Sequence, residues 1–229
     1  MFCPACGYRL QGRENPQKRA IFSLLLLFVG TVFALLIVAN LTPVPETDRD
    51  HLVEGGLWAL ALLVVGALGL VPLGASAWSE SFPLEAKVRD VGLAIGLGGV
   101  AFLMNAAYVS VVNSLLVSEI VAEEELLVEP GFLAALVTIA LFPAVVEELL
   151  DRGVAWTAVR HVVGVSQTIF ATALLFGFLH AFNGAGLLEV PHRFLMGLVL
   201  GWLRARTGSL VPCMVAHGLN NLLAVALWA

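Results

Sequence analysis

Apolar residues run through this chain in long blocks, not in the period-2 or one-sided period-3.6 patterns of half-buried strands and helices. Seven blocks stand out, at 20–41, 57–78, 91–117, 132–160, 165–183, 190–204 and 208–228. Crossing the hydrocarbon of a bilayer takes roughly 20 apolar residues in a helix. Most blocks reach that length; the sixth is short and opens on Pro191, His192 and Arg193. Short connections join the blocks into one bundle. The pattern predicts an all-α, polytopic transmembrane bundle of about seven spans, within about six to eight. Trp58, Trp78, Trp202 and Trp228 fall near predicted ends, where interfacial aromatics sit. The first block is too long for the apolar core of a cleavable signal and follows a polar, basic segment, so it reads as a retained first span.

Composition agrees. Of 229 residues, 59% are hydrophobic and 13% charged, and the mean hydropathy is +0.93. Soluble domains carry about 25% charged residues. Lipid is therefore an expected partner, and with no basic patch in view nucleic acid is not. The distribution of charge says more than the net −5. All 12 Lys and Arg except Arg49 and Arg193 fall on or next to the connections of one side, which favours a cytoplasmic N terminus; a bacterial or archaeal cell membrane is the expected location. The loop at 118–131 carries five Glu and no basic residue, as a solvated outside connection would.

Against that apolar background, Glu147 and Glu148 stand inside the fourth block. A carboxylate at membrane depth is costly and faces a bundle interior or a wet cavity. Glu148 and Arg152 are spaced i,i+4 and can pair along the helix. Glu147 is then free to face a cavity, where a carboxylate can serve as general base. If blocks four and five form a hairpin turning at Gly164, Glu147 lies seventeen residues before the turn and His180 sixteen after it, so they share a depth. His217 lies nine residues beyond Gly208, with Asn221 one turn further on the same face. An acid, two histidines and an amide can thus converge from three helices. Pro143 should free a backbone carbonyl and disturb the turn before Glu147. Read singly, a Glu–Arg pair is more often structural and a lone histidine is usually a hydrogen-bonded packing residue; their convergence is what points to a site.

These residues resemble the CPBP intramembrane proteases, which include the type II CAAX prenyl endopeptidases and the Abi or bacteriocin-protection proteins. The motif EExxxR stands as Glu147-Glu148-Leu149-Leu150-Asp151-Arg152, FxxxH as Phe176 to His180, and HxxxN as His217 to Asn221. The resemblance covers about 132–227. It implies an intramembrane endopeptidase acting on a membrane-associated peptide or protein. Glu147 would activate water, His180 would orient it or bind the substrate carbonyl, and His217 and Asn221 would form the oxyanion hole. Glu148, Arg152 and Phe176 would support them. The chain is accordingly expected to divide into a cytoplasmic segment 1–19, transmembrane helices in 20–117, which match the family only as apolar spans, and a catalytic bundle in 118–229. Metal-dependent and glutamate mechanisms compete for this family. The lack of HExxH favours no cofactor, while a zinc site of Glu147, His180 and His217 stays open.

Cys3 and Cys6 form a CxxC knuckle without the second pair that a zinc ribbon needs. A remnant, a zinc site shared across a homodimer, and a redox or partner-completed site remain alternatives. Cys213, inside the seventh block, reads as a packing residue. A non-catalytic binding or immunity protein on the same bundle, and a transporter relaying protons through buried acids, are the competing functions.

Overall fold

The computed structural model describes residues 15–42, 44–116, 130–182 and 186–228. Cys3, Cys6 and nearly all of the acidic loop lie outside them. Among the described residues there is no strand, and eight helices carry the chain: α1 Pro16–Leu41, α2 Asp48–Leu70, α3 Ser76–Ser81, α4 Val88–Leu116, α5 Phe132–Arg160, α6 Val165–Leu179, α7 Val190–Thr207 and α8 Val211–Trp228. Five of them (α1, α2, α4, α5, and α6 with the short 3₁₀ turn after it) are long and apolar enough to cross a membrane, and α8 holds a shorter apolar stretch. The all-α membrane-type bundle is as expected.

The second span differs from its expectation. It runs Asp48–Leu70 rather than 57–78. Thr47 and Asp50 form a reciprocal capping box that starts the helix ahead of its apolar block. Gly74, at φ 90°, then turns the chain into α3. This shift moves Trp58 from a predicted interface to the middle of α2, where it lines a half-open cavity. The fifth span runs Val165–Phe182, against an expected 165–183, with α6 tightening after Leu179 into one 3₁₀ turn, His180–Phe182.

Two apolar cores hold the bundle. Leu27 of α1, Val65 and Leu70 of α2, and Leu150 and Val154 of α5 pack in one. Phe176 of α6, Leu200 and Leu203 of α7, and Cys213 and Ala216 of α8 pack with Ala94 and Ala101 of α4 in the other. Cys213 is fully buried, as expected of a packing residue. Inside lipid, close backbone contact replaces much of the hydrophobic drive between helices, and small residues permit it. A Cβ on Gly197 of α7 would stand 2.7 Å from Ala173 Cα of α6, and one on Gly98 of α4 would stand 2.8 Å from the Ala216 carbonyl of α8. Gly197→Val therefore forces α6 and α7 apart. The expected cost is about 1–3 kcal/mol, read as a lower unfolding temperature in detergent; an unchanged midpoint would show that the helices can separate freely.

The α8 side of the α7–α8 turn is buried, although Gly208 itself is exposed. Gly208 caps α7 at φ 71°, Ser209 and Leu210 are 1% and 0% exposed, and Leu210 N–H donates to the Pro83 carbonyl at 2.8 Å. Counted along ideal helices, Glu147 is about 25 Å from its turn and His217 only about 13 Å from its own. Burying the α8 side of the second turn beneath the 82–87 connection brings the two residues level.

Candidate active site

α5 is not a regular helix. π-helical turns at Leu136–Leu141 and Leu149–Ala155 flank a short α-helical stretch, Phe142–Glu148, that carries both glutamates. Such π turns cluster at functional sites because they re-aim side chains. Pro143 contributes to the first: it has no N–H for the carbonyl four residues back, Ile139. Asn221 Nδ2 of α8 donates to that carbonyl at 3.0 Å. Asn221 Oδ1 in turn accepts from Asn220 Nδ2. One amide hydrogen of Asn221 is thus held by the α5 backbone, leaving the second for other work.

Glu148 and Arg152 make the expected pair. Both side chains are 0% exposed, with Arg152 Nη1 donating to Glu148 Oε1 at 3.1 Å. Nη2 donates to the Gly197 carbonyl of α7, and the guanidinium lies 4.6 Å above the Phe176 ring. Sequence reasoning missed the second task of Glu148. His217 Nδ1 meets Glu148 Oε1 at 2.9 Å. A paired carboxylate only accepts, so Nδ1 carries the hydrogen and Nε2 points away from Glu148.

His180 is fixed in the same sense. Its Nδ1 lies 2.7 Å from the Phe176 carbonyl, another acceptor. Phe176, 1% exposed, packs its ring against both imidazoles, with centroids 4.6 Å from His180 and 5.7 Å from His217. The two Nε2 atoms each stand 3.9 Å from Glu147 Oε2, which has no hydrogen-bond partner. In the neutral tautomers, three acceptors face one another across this gap. They cannot satisfy each other; a donor with two hydrogens, such as water, can satisfy Glu147 and one imidazole at a time.

Glu147, His180 and His217 are therefore brought together, and Asn221 lies one turn from His217 against α5. Zinc accepts a carboxylate and two imidazoles as ligands, yet at separations of 3.9 Å an ion about 2.1 Å from each atom would open the O–metal–N angles to about 136° against about 109° for a tetrahedron. A water at about 2.8 Å from each atom needs about 88°. Among the described residues no group of three or more His, Cys, Asp and Glu is placed to hold a metal.

The gap opens onto a cavity of about 190 Å³. Glu147, Asp151, Phe176 and His180 line one side, and Thr31 and Leu35 of α1 with Trp58 and Leu62 of α2 line the other. No spacing rule connects α1 or α2 to the motifs; a buried threonine in a span was the one available signal.

Residues 129–223 match the family model described as type II CAAX prenyl endopeptidase Rce1-like. No curated protein and no solved structure matches the chain.

Proposed function

We propose that this protein hydrolyses a peptide bond of a membrane-associated peptide or protein at Glu147, without a metal; residues 129–223, which hold every member of the acid–imidazole cluster, match the type II CAAX prenyl endopeptidase Rce1-like model, as expected of a CPBP-type protease. The observation that carries the reading is the pair of 3.9 Å separations around the unpartnered Glu147 Oε2. A water held there donates one hydrogen to Glu147 and a second to an imidazole Nε2, which orients a lone pair for attack. Apo separations of this kind tighten when substrate binds.

The oxygen–carbon bond forms as Glu147 takes the water's proton. That proton passes to His217 Nε2, where Glu148, hydrogen-bonded to Nδ1, balances the imidazolium. The free amide hydrogen of Asn221 faces the developing oxyanion as a preorganised donor, and His217 Nε2–H joins it once the proton has been transferred. Collapse breaks the carbon–nitrogen bond, and His217 returns the proton to the leaving amine. His180 orients the water, and the basic connections put the N terminus on the cytoplasmic side.

The test incubates the purified protein with membrane extract in ¹⁸O-labelled water. New C termini carrying one ¹⁸O are expected, and their yield should survive exhaustive chelation. Absence of new termini removes the hydrolase reading. Loss on chelation with recovery on adding zinc removes the metal-free mechanism alone.

A further inference from the structure

The cavity next to Glu147 holds two polar groups that the hydrolytic scheme leaves idle. Thr31 is 4% exposed and Asp151 2% exposed, and both line the cavity. Thr31 Oγ1 and Asp151 Oδ1 have no hydrogen-bond partner. Buried polar atoms are nearly always paired, and the other threonines in these helices follow that rule. Thr138, Thr168, Thr172 and Thr207 each donate to the carbonyl four residues back at 2.8–2.9 Å. Thr31 does not use that local option.

The two groups lie at one level. A Cβ on Gly69 of α2 would touch Leu27 of α1 at 2.6 Å and Val154 of α5 at 3.4 Å, so these three residues meet. α1 and α5 run antiparallel, and one turn toward the cavity from that contact lie Thr31 on α1 and Asp151 on α5. Asp151 also stands four residues from Glu147 on α5, and both line the cavity. An extended peptide advances about 3.3 Å per residue, so a substrate cut at Glu147 passes Asp151 within two residues of the scissile bond.

We propose that Thr31 and Asp151 form a specificity subsite that takes a hydrogen-bond donor of the substrate — a hydroxyl, amide or amine side chain within two residues of the cut. The inference rests on the cavity being the site of peptide hydrolysis. It places part of the selectivity in α1, outside residues 129–223 that carry the family match. Asp151 Oδ2 is only loosely engaged, 4.0 Å from Arg152 Nη1, so the carboxylate keeps capacity for a ligand.

The experiment uses the full-length protein in lipid bicelles with a library of peptides that share an apolar membrane anchor and carry six randomised positions. Cut sites are read by mass spectrometry for wild type, Thr31→Val, Thr31→Ser and Asp151→Asn. Wild-type sites should be enriched in Ser, Thr, Asn, Gln or Lys within two residues of the cut. That enrichment should fall about tenfold in Thr31→Val and Asp151→Asn, the effect of one lost hydrogen bond, and persist in Thr31→Ser. A cut-site profile identical in all four proteins overturns the subsite while leaving the hydrolase reading in place. No cutting by wild type overturns both. If Asp151→Asn does not fold, the Thr31 pair decides, because valine matches threonine in shape.

Discussion

Glu147→Gln is expected to lower kcat by about 10²–10⁴-fold, the usual contribution of a positioned general base, with little change in KM. The amide has the shape of the carboxylate and keeps one acceptor, so it can still hold a water between His180 and His217. It cannot take the water's proton. Glu147 is not part of the structural network: its Oε2 has no hydrogen-bond partner and its side chain is 22% exposed, against 0% for Glu148. The variant should therefore unfold at the wild-type temperature. Single-turnover rates on a peptide cut by wild type give the measurement. Activity within tenfold of wild type would move the base to His217, whose Nδ1 is already held by Glu148 in the manner of an oriented general base.

Arg152→Met should destabilise the fold by about 3–5 kcal/mol, the cost of leaving one member of a buried ion pair uncompensated. The guanidinium is fully buried and ties three elements: Glu148 on its own helix, the Gly197 carbonyl of α7, and the Phe176 ring of α6. Methionine fills similar volume but leaves Glu148 and the carbonyl without their donor. Arg152→Lys should recover little, because a point charge reproduces neither the fork nor the stacking. Glu148→Met with Arg152→Met should regain part of the stability, since Glu148 is then no longer stranded, while Asp151 still lacks its 4.0 Å partner. That double variant should remain inactive, because His217 has lost the carboxylate that orients it. Chemical unfolding in mixed micelles measures the first effect and turnover the second. Equal stability of Arg152→Met and wild type would sink the anchoring role.

The bundle class was legible from the chain because a bilayer forces helices of a set apolar length, and that length shows directly in the blocks. The Glu148–Arg152 pair was legible for a similar reason: both ends lie on one helix, where i,i+4 spacing dictates contact. Boundaries were less so. The start of α2 depends on a polar capping box at Thr47 and Asp50, which a search for apolar blocks passes over.

Sequence alone determined that this chain lies in lipid as a helical bundle and that a few polar residues in its C-terminal half need partners. Which partners they take was decided by tertiary structure. Glu148 and His217 are 69 residues apart in the chain, and no local rule links them. The depth shared by Glu147 and the two imidazoles depends on the buried α8 side of the turn between α7 and α8, and the wall opposite them on how α1 and α2 pack against a π-turned α5. These are distances between helices, and they follow from where glycine lets two backbones touch and where proline leaves a carbonyl for another helix to satisfy.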